Sequence, residues 1–209
     1  MKESQPNALI IFTRNPELGK CKTRLAKTIG EQAALDIYLF LLAHTSNTIQ
    51  KITGAHKRVY FSDRIGSDLS WDSTAFSRHL QNGSDLGMRM EHAFQETFDL
   101  GYERVLIIGS DLYDLNASDI IEAFEALKIN DAVLGPASDG GYYLLGLKKI
   151  IPSLFRNKVW GTSEVLPATL ENLKGYQTHL LPERNDIDRY EDIAGNPVFE
   201  DIIKKSNHD

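Results

Sequence analysis

The feature that most limits the fold is a pair of short segments with no polar face. Ala8-Leu9-Ile10-Ile11-Phe12 is continuously apolar, and Val105-Leu106-Ile107-Ile108 repeats the pattern far downstream. A strand with one wet face alternates apolar and polar residues, whereas a strand covered on both faces does not. These runs therefore require a sheet with helices on each side. The intervening sequence supplies them. Glu31 to Ile52 carries Ala34, Ile37, Leu41 and Thr45/Thr48 at near-helical spacing. Val59–Phe61 reads as a short strand and His79–Gln81 as another. Ser84 or Asp85 can cap a helix running to about Leu100, where Gly101 can stop it. Arg104–Ile108 is the next strand, and Asn116 can cap a helix to about Leu127. Asp131–Leu134 and Tyr142–Leu147 read as strands, Glu164–Leu173 as helix, Thr178–Leu181 as extended, and Asp188 onward as helix. This alternation predicts an α/β fold, a sandwich around a mainly parallel central sheet. Without an internal repeat, low-complexity tract or linker, residues 1–209 read as a single domain.

The segment just after the first strand is chemically unusual. Residues 12–27 hold Arg14, Lys20, Lys22, Arg24 and Lys27 against Glu17 alone, in a chain whose net charge is −6. In open α/β sheets the ligand crevice lies beyond the carboxyl ends of the strands. A basic segment there, with Gly19 in it, suits a di- or triphosphate, because cations and backbone N–H groups both stabilise phosphate oxygens. Thr13, Arg14, Gly19, Lys20, Lys22, Thr23 and Arg24 are the candidate contacts. The segment is not a P-loop: Arg14 stands where that motif needs Gly, and Cys21 where it needs Ser or Thr. Gly-x-Gly-x-x-Gly follows none of the strands, so a dinucleotide site has no support either.

The acidic balance argues against nucleic-acid binding, which needs an extended basic face. Apolar runs fall well short of the roughly 20 residues of a membrane helix. Residues 1–7 lack the apolar core of a signal peptide, so a cytoplasmic location is expected. Cys21 is the single cysteine and has no histidine beside it in sequence to serve as its base, so it reads as a bystander in the basic segment. The six histidines show no metal-ligand spacing.

Further candidates sit at later strand ends. Asp111, in Gly109-Ser110-Asp111 after the Arg104–Ile108 strand, can face the same crevice and hold Mg²⁺ or Mn²⁺ against phosphate oxygens. Asp114, nearer the next helix, reads as structural. Asp186 and Asp188 face one way if their segment is extended, so either could be a second metal carboxylate and the other a helix cap. Gly135–Tyr143 contains Asp139, Gly140, Gly141 and Tyr142. The glycines allow close backbone approach, and the tyrosines could stack on a base or sugar or simply pack. Trp160 and Thr162 precede a helix, and Thr162 or Ser163 could be its N-cap.

Together these blocks resemble the DUF2064 family. The shared motifs are residues 12–25, Gly-Ser-Asp-Leu-Gly-Met-Arg-Met at 83–90, Ile-Gly-Ser-Asp at 108–111, the segment 135–147, Trp-Gly-Thr at 160–162 and Asp-Ile-Asp at 186–188. The resemblance implies a GT-A fold of the nucleotide-diphospho-sugar transferase type, with kinship to 2-phospho-L-lactate guanylyltransferases and one branch tied to arsenosugar biosynthesis. It implies that the basic segment holds nucleotide phosphates and that Asp111 is the metal carboxylate. Tyr113 departs from the family pattern, which has Pro there. The leading expectation is a metal-dependent transferase using a nucleotide-activated sugar and a small-molecule acceptor. Asp111 and Asp139 are its candidate catalytic groups, Gly140, Gly141, Tyr142, Trp160 and Thr162 its substrate contacts. Alternatives are a nucleotidyltransferase joining an NTP to a phosphorylated acceptor with release of pyrophosphate, and a nucleotide-binding regulatory protein without turnover.

Overall fold

The computed structural model describes residues 6–66, 70–72 and 74–206. Seven strands are β1 (Asn7–Thr13), β2 (Ala55–Phe61), β3 (Ser77–Leu80), β4 (Arg104–Gly109), β5 (Ala132–Pro136), β6 (Tyr142–Leu147) and β7 (Thr178–Leu180). The helices are α1 (Thr23–Ile29), α2 (Glu31–Gln50), α3 (Leu86–Asp99), α4 (Ala117–Ala126), α5 (Val165–Asn172) and α6 (Pro197–Ser206). The strands form one sheet in the order β3-β2-β1-β4-β6-β5-β7, parallel except for β6, which runs antiparallel to both neighbours. The fold is thus the expected α/β sandwich around a mainly parallel central sheet.

The two apolar runs are the centre of the sheet. β1 pairs with β4 in register, Ile11 beside Ile108 and Phe12 beside Gly109. Leu9, Ile11, Leu106 and Ile108 face one layer, with Tyr38, Leu42 and Ile49 of α2 and Ile120, Ala123 and Phe124 of α4. Ala8, Ile10, Val105 and Ile107 face the other, with Met90, Ala93 and Phe94 of α3. Burial on both faces is what removes the polar alternation. A third cluster, built from Leu25, Ile37, Leu41, Ile187, Ile193 and Phe199, fixes α1 and α6 against the outer side of α2.

The chain order creates the site. β2 and β3 are laid to one side of β1, and β4 is then placed on its other side. The connections leaving β1 and β4 diverge at this switch point, opening a crevice beyond their carboxyl ends.

Some boundaries differ from expectation. Residues 23–29 are helix α1, so only the first part of the basic segment is loop. β2 begins at Ala55, earlier than Val59, because Arg58 lies inside it: its guanidinium is buried yet donates to the Tyr60 hydroxyl and ion-pairs with Glu96. A paired cation can occupy a strand's inner face, and a hydropathy pattern hides it. Asp188 does not start a helix. The Asp192 carboxylate accepts from the N–H groups of Asp188 and Arg189, closing a 3-10 turn at Tyr190–Asp192, and α6 begins at Pro197. Asp85 caps α3, accepting from the Met88 N–H at 2.9 Å.

Candidate functional site

Two cavities adjoin in the switch-point crevice, and Phe12, Leu86 and Asp111 line both. The first, about 500 Å³, is polar. It is bounded by Arg14, Lys20 and Arg89, with Asn15, Ser62 and Gln81 behind them. The second, about 260 Å³, has a largely apolar wall of Met90, Tyr142, Trp160 and Val165, into which Asp111, Asp139 and Asp186 are set. Asp111 stands at the junction.

Lys22 is the hub. Its side chain is only 8% exposed, and its ammonium donates to Asp111 Oδ2 at 2.7 Å and to the Ile187 carbonyl. It therefore ties the end of β4 to the 186–188 segment. Its backbone is left-handed, φ 49° and ψ 45°, at the N-cap of α1. Non-glycine residues hold that conformation when their surroundings over-determine it. Burial pulls the Asp111 carboxyl upward, but Lys22, and Arg14 after it, outweigh this and hold it below the usual carboxylate range. Asp186 has the opposite balance. Burial first, then the nearby Asp139 charge, push its carboxyl up to about 6, with Asp111 adding in the same direction.

The remaining cations divide into different roles. The Arg14 guanidinium is exposed and makes no hydrogen bond or ion pair among the described residues, while its backbone N–H and C=O are both held by the Tyr38 hydroxyl. Lys20 is exposed and paired with Glu17 at 2.6 Å. Arg24, in α1, is paired with Asp188 at 2.7 Å. Arg24 and Asp188 thus satisfy each other outside both cavities, and Asp186 rather than Asp188 reaches the crevice. Thr23 is exposed at the start of α1 and lines neither cavity. Thr13 lines the polar cavity, but its hydroxyl is buried, accepting from Ser110 Oγ at 3.1 Å. Gly19 has φ +73° in an exposed turn and lines neither cavity. Cys21 is buried, with its sulfur accepting from the Glu17 N–H, and burial pushes its thiol pKa up; it is a structural thiol.

In the 135–143 segment, Asp139 Oδ1 accepts from the Gly141 N–H at 2.7 Å, so the carboxylate is positioned by its own turn. Gly140 has φ +87°, and a Cβ there would lie 2.5 Å from the Ser163 Cα: it is glycine so that the 161–163 loop can pack over it. Tyr142 lines the apolar cavity, with its hydroxyl on the Met90 sulfur at 3.7 Å and its pKa raised by burial. Tyr143 Oη donates to the Pro182 carbonyl. Thr162 and Ser163 are not caps: Glu164 is the N-cap of α5, and the Thr162 hydroxyl donates to the Val159 carbonyl.

Sequence reasoning missed Arg89, Gln81 and Asn15. Arg89 is on α3, anchored on the Gly83 carbonyl and the Gln81 side chain at 3.1 and 3.4 Å. Gln81 bridges the Thr13 and Tyr60 carbonyls. Asn15 clasps the loop after β2 through Asp63 and Arg64. The block at 83–90 held the signal. Gly87 is the member with the clearest reason, because a Cβ there would meet the Phe155 carbonyl at 2.0 Å and the Trp160 ring at 2.8 Å.

Among the described residues no group of three or more His, Cys, Asp and Glu side chains could by itself hold a metal ion. Asp111 and Asp186 could contribute to a metal site only with other oxygens, such as those of a phosphate, completing the shell, an arrangement common for Mg²⁺. The raised Asp186 pKa marks a spot where negative charge lacks compensation.

The fold belongs to a recognisable class. Over 97% of this chain and 96% of the other, it superposes with a TM-score of 0.84 and 29% identity on a Desulfovibrio desulfuricans G20 protein provisionally assigned as a nucleotide-diphospho-sugar transferase. A cytidylyltransferase from Leptospira borgpetersenii serovar Hardjo-bovis matches with a TM-score of 0.60 and 14% identity over 97% of this chain and 94% of that one. The 4-diphosphocytidyl-2C-methyl-D-erythritol synthase from Anaerococcus prevotii DSM 20548 gives 0.59 and 11% over 94% and 99%. The chain itself belongs to the family described as "uncharacterized protein conserved in bacteria (DUF2064)", whose model matches residues 44–162. No curated protein matches the sequence. No helix among the described residues is long and apolar enough to cross a membrane.

Proposed function

We propose that this protein is a metal-dependent transferase that takes a nucleotide-activated sugar and passes the sugar to a small-molecule acceptor. The observation that carries this reading is the meeting of a cation-bearing polar cavity and an apolar, carboxylate-bearing cavity at Asp111, on the switch point of the sheet. The nucleotide occupies the polar side. Arg14 and Arg89 are the side chains available for its phosphates, with Lys20 once it leaves Glu17, a revision of the set read from sequence. Lys22 reaches them only by leaving Asp111, which it holds at 2.7 Å. Cations at that position stabilise charge on the departing phosphate. A divalent ion on Asp111 and Asp186 would supply further Lewis-acid stabilisation of those oxygens. The sugar and acceptor occupy the side lined by Tyr142 and Trp160. There Asp139, held by the Gly141 N–H, has an oxygen free to take the proton of the attacking acceptor hydroxyl as the bond between sugar and phosphate breaks.

A second reading has specific support. Cytidylyltransferases share the fold over nearly the whole chain, and the larger cavity is the polar one. An NTP would fit that side, with attack on its α-phosphorus releasing pyrophosphate. One experiment separates the two. NTPs and nucleotide sugars are screened by thermal shift with and without Mg²⁺ or Mn²⁺, since a ligand of the native state raises the melting temperature. The best ligand is then incubated alone. Slow release of free sugar and nucleoside diphosphate supports the sugar-transfer reading. Pyrophosphate from an NTP, lost in Asp111→Asn, replaces it with the second.

A further inference from the structure

The charges of the two cavities are sorted. The polar side carries Arg14, Lys20 and Arg89 with Asp63 and Asp111. The apolar side carries Asp111, whose charge Lys22 offsets from behind, with Asp139 and Asp186, and no Lys, Arg or His among the described residues lines it. Its remaining wall offers little to an anion. The Tyr142 hydroxyl is spent on a thioether. The Trp160 indole is half-buried and lies against Gly87, with Met90 and Leu86 from the same helix beside it. A ligand entering here meets an aromatic plane, an apolar floor and a negative field.

We infer that the acceptor is uncharged, with a planar or apolar body and a hydroxyl nucleophile, and that phosphorylated acceptors are excluded. This rests on the proposed division of nucleotide and acceptor between the two cavities. The physical basis is twofold. An anion among carboxylates that share a partly desolvated cavity is repelled, and the repulsion weakens less with salt than at an open surface. A flat apolar body recovers the area of Trp160 and Tyr142, which recognise ring faces. The same sorting bears on the competing reaction: a nucleotidyltransferase that used this side for a phosphate monoester would set its substrate's dianion against Asp139 and Asp186, Asp111 being paired with Lys22.

The test uses benzyl alcohol and benzyl phosphate, which share one ring and differ in charge. The chain has two tryptophans. Trp71 is fully buried and Trp160 lines the cavity, so intrinsic fluorescence reports on the site through Trp160. Each compound is titrated into the full-length protein, once in EDTA and once with Mg²⁺ and a saturating nucleoside diphosphate. The Trp160→Phe variant serves as the blank. Trp71→Phe, which sacrifices no hydrogen bond because the Trp71 Nε1 has no partner among the described residues, isolates the Trp160 signal if both rings respond. The expected result is saturable quenching by benzyl alcohol, at least tenfold weaker binding of benzyl phosphate under both conditions, and a smaller ratio in Asp139→Asn. Equal or tighter binding of the phosphate under either condition overturns the inference, and so does absence of saturable quenching by both compounds. The nucleotide reading fails separately: if nucleotides produce no thermal shift while the alcohol preference holds, that assignment falls and the charge selectivity stands.

Discussion

Replacing Asp186 by Asn should make the metal-free protein more stable. Burial and Asp139 push the Asp186 carboxyl up to about 6. In an unfolded chain the group titrates near 3.9, roughly. Because the folded-state value is the higher one, the contribution is favourable below about pH 4 and is lost as pH rises through about 6. Above that, an ionised Asp186 works against the fold. At roughly 1.4 kcal/mol per pH unit, the displacement has a ceiling of about 3 kcal/mol. Asp186 is only half-buried, so solvent screening reduces this to about 1–2 kcal/mol. Asn keeps the shape and removes the charge. In EDTA at pH 7.5, Asp186→Asn should melt about 2–8 °C above the parent, given roughly 2–4 °C per kcal/mol for a chain this long. At pH 4 the gap should close. Mn²⁺ should raise the melting temperature of the parent and leave the variant where it is. Thermal unfolding by circular dichroism, from pH 4 to 8 with and without Mn²⁺, is sufficient. A variant less stable than the parent at pH 7.5 in EDTA would refute the reasoning. So would a gap that does not change with pH, because packing and not charge would then explain it.

Four further comparisons probe the remaining geometry. Lys22→Ala should lower both melting temperature and nucleotide affinity, since it strips a buried cation from Asp111, whereas exposed Arg14→Ala should lower affinity alone, by roughly 1.5–3 kcal/mol per lost charge-assisted contact; calorimetry beside thermal melts distinguishes them. Asp111→Asn should abolish Mn²⁺-dependent nucleotide binding while Asp114→Asn, exposed on the next turn, changes it little; the reverse ranking would mean the wrong carboxylate was chosen. Arg24→Ala should leave nucleotide affinity unchanged and the melting temperature nearly so, as its partner is Asp188 at the surface; a large affinity loss in the same titration would return Arg24 to the phosphate set. Gly87→Ala should destabilise by about 1–3 kcal/mol or more and shift the tryptophan emission, because its methyl would displace the Phe155 carbonyl and the Trp160 ring.

The sheet was legible because its central strands are buried on both faces, and that condition writes itself into five consecutive apolar residues at β1. Where a strand buries something else, the signal fails. The apolar pattern of β2 starts only at Val59, just past Arg58 and its partnership with Glu96, since an ion pair formed across elements leaves no trace in local periodicity. The site divides in the same way. Asp111 and the basic segment were visible because charge accumulated at strand ends. Arg89 was not, because one arginine on an amphipathic helix looks like any solvated residue until α3 is placed beside β1. The Arg24–Asp188 pair spans most of the chain, the Lys22–Asp111 pair nearly half of it, and only the fold decides which cations remain for a ligand.

Lys22 shows what that division of labour requires. Its left-handed backbone costs an L-residue roughly 1–2 kcal/mol, which Gly would avoid. Gly would lose the ammonium that bridges Asp111 and the Ile187 carbonyl. Without that bridge, Asp111 at the end of β4 and Asp186 beside Ile187 would be two like charges on separate loops, each free to move away from the other. The strain at one residue therefore holds together the two carboxylates between which a nucleotide-bound cation would sit. It also leaves Arg14 without an internal partner among the described residues, available at the mouth of the polar cavity. Lys22 thus serves the site by position, its ammonium kept on Asp111 and lining neither cavity.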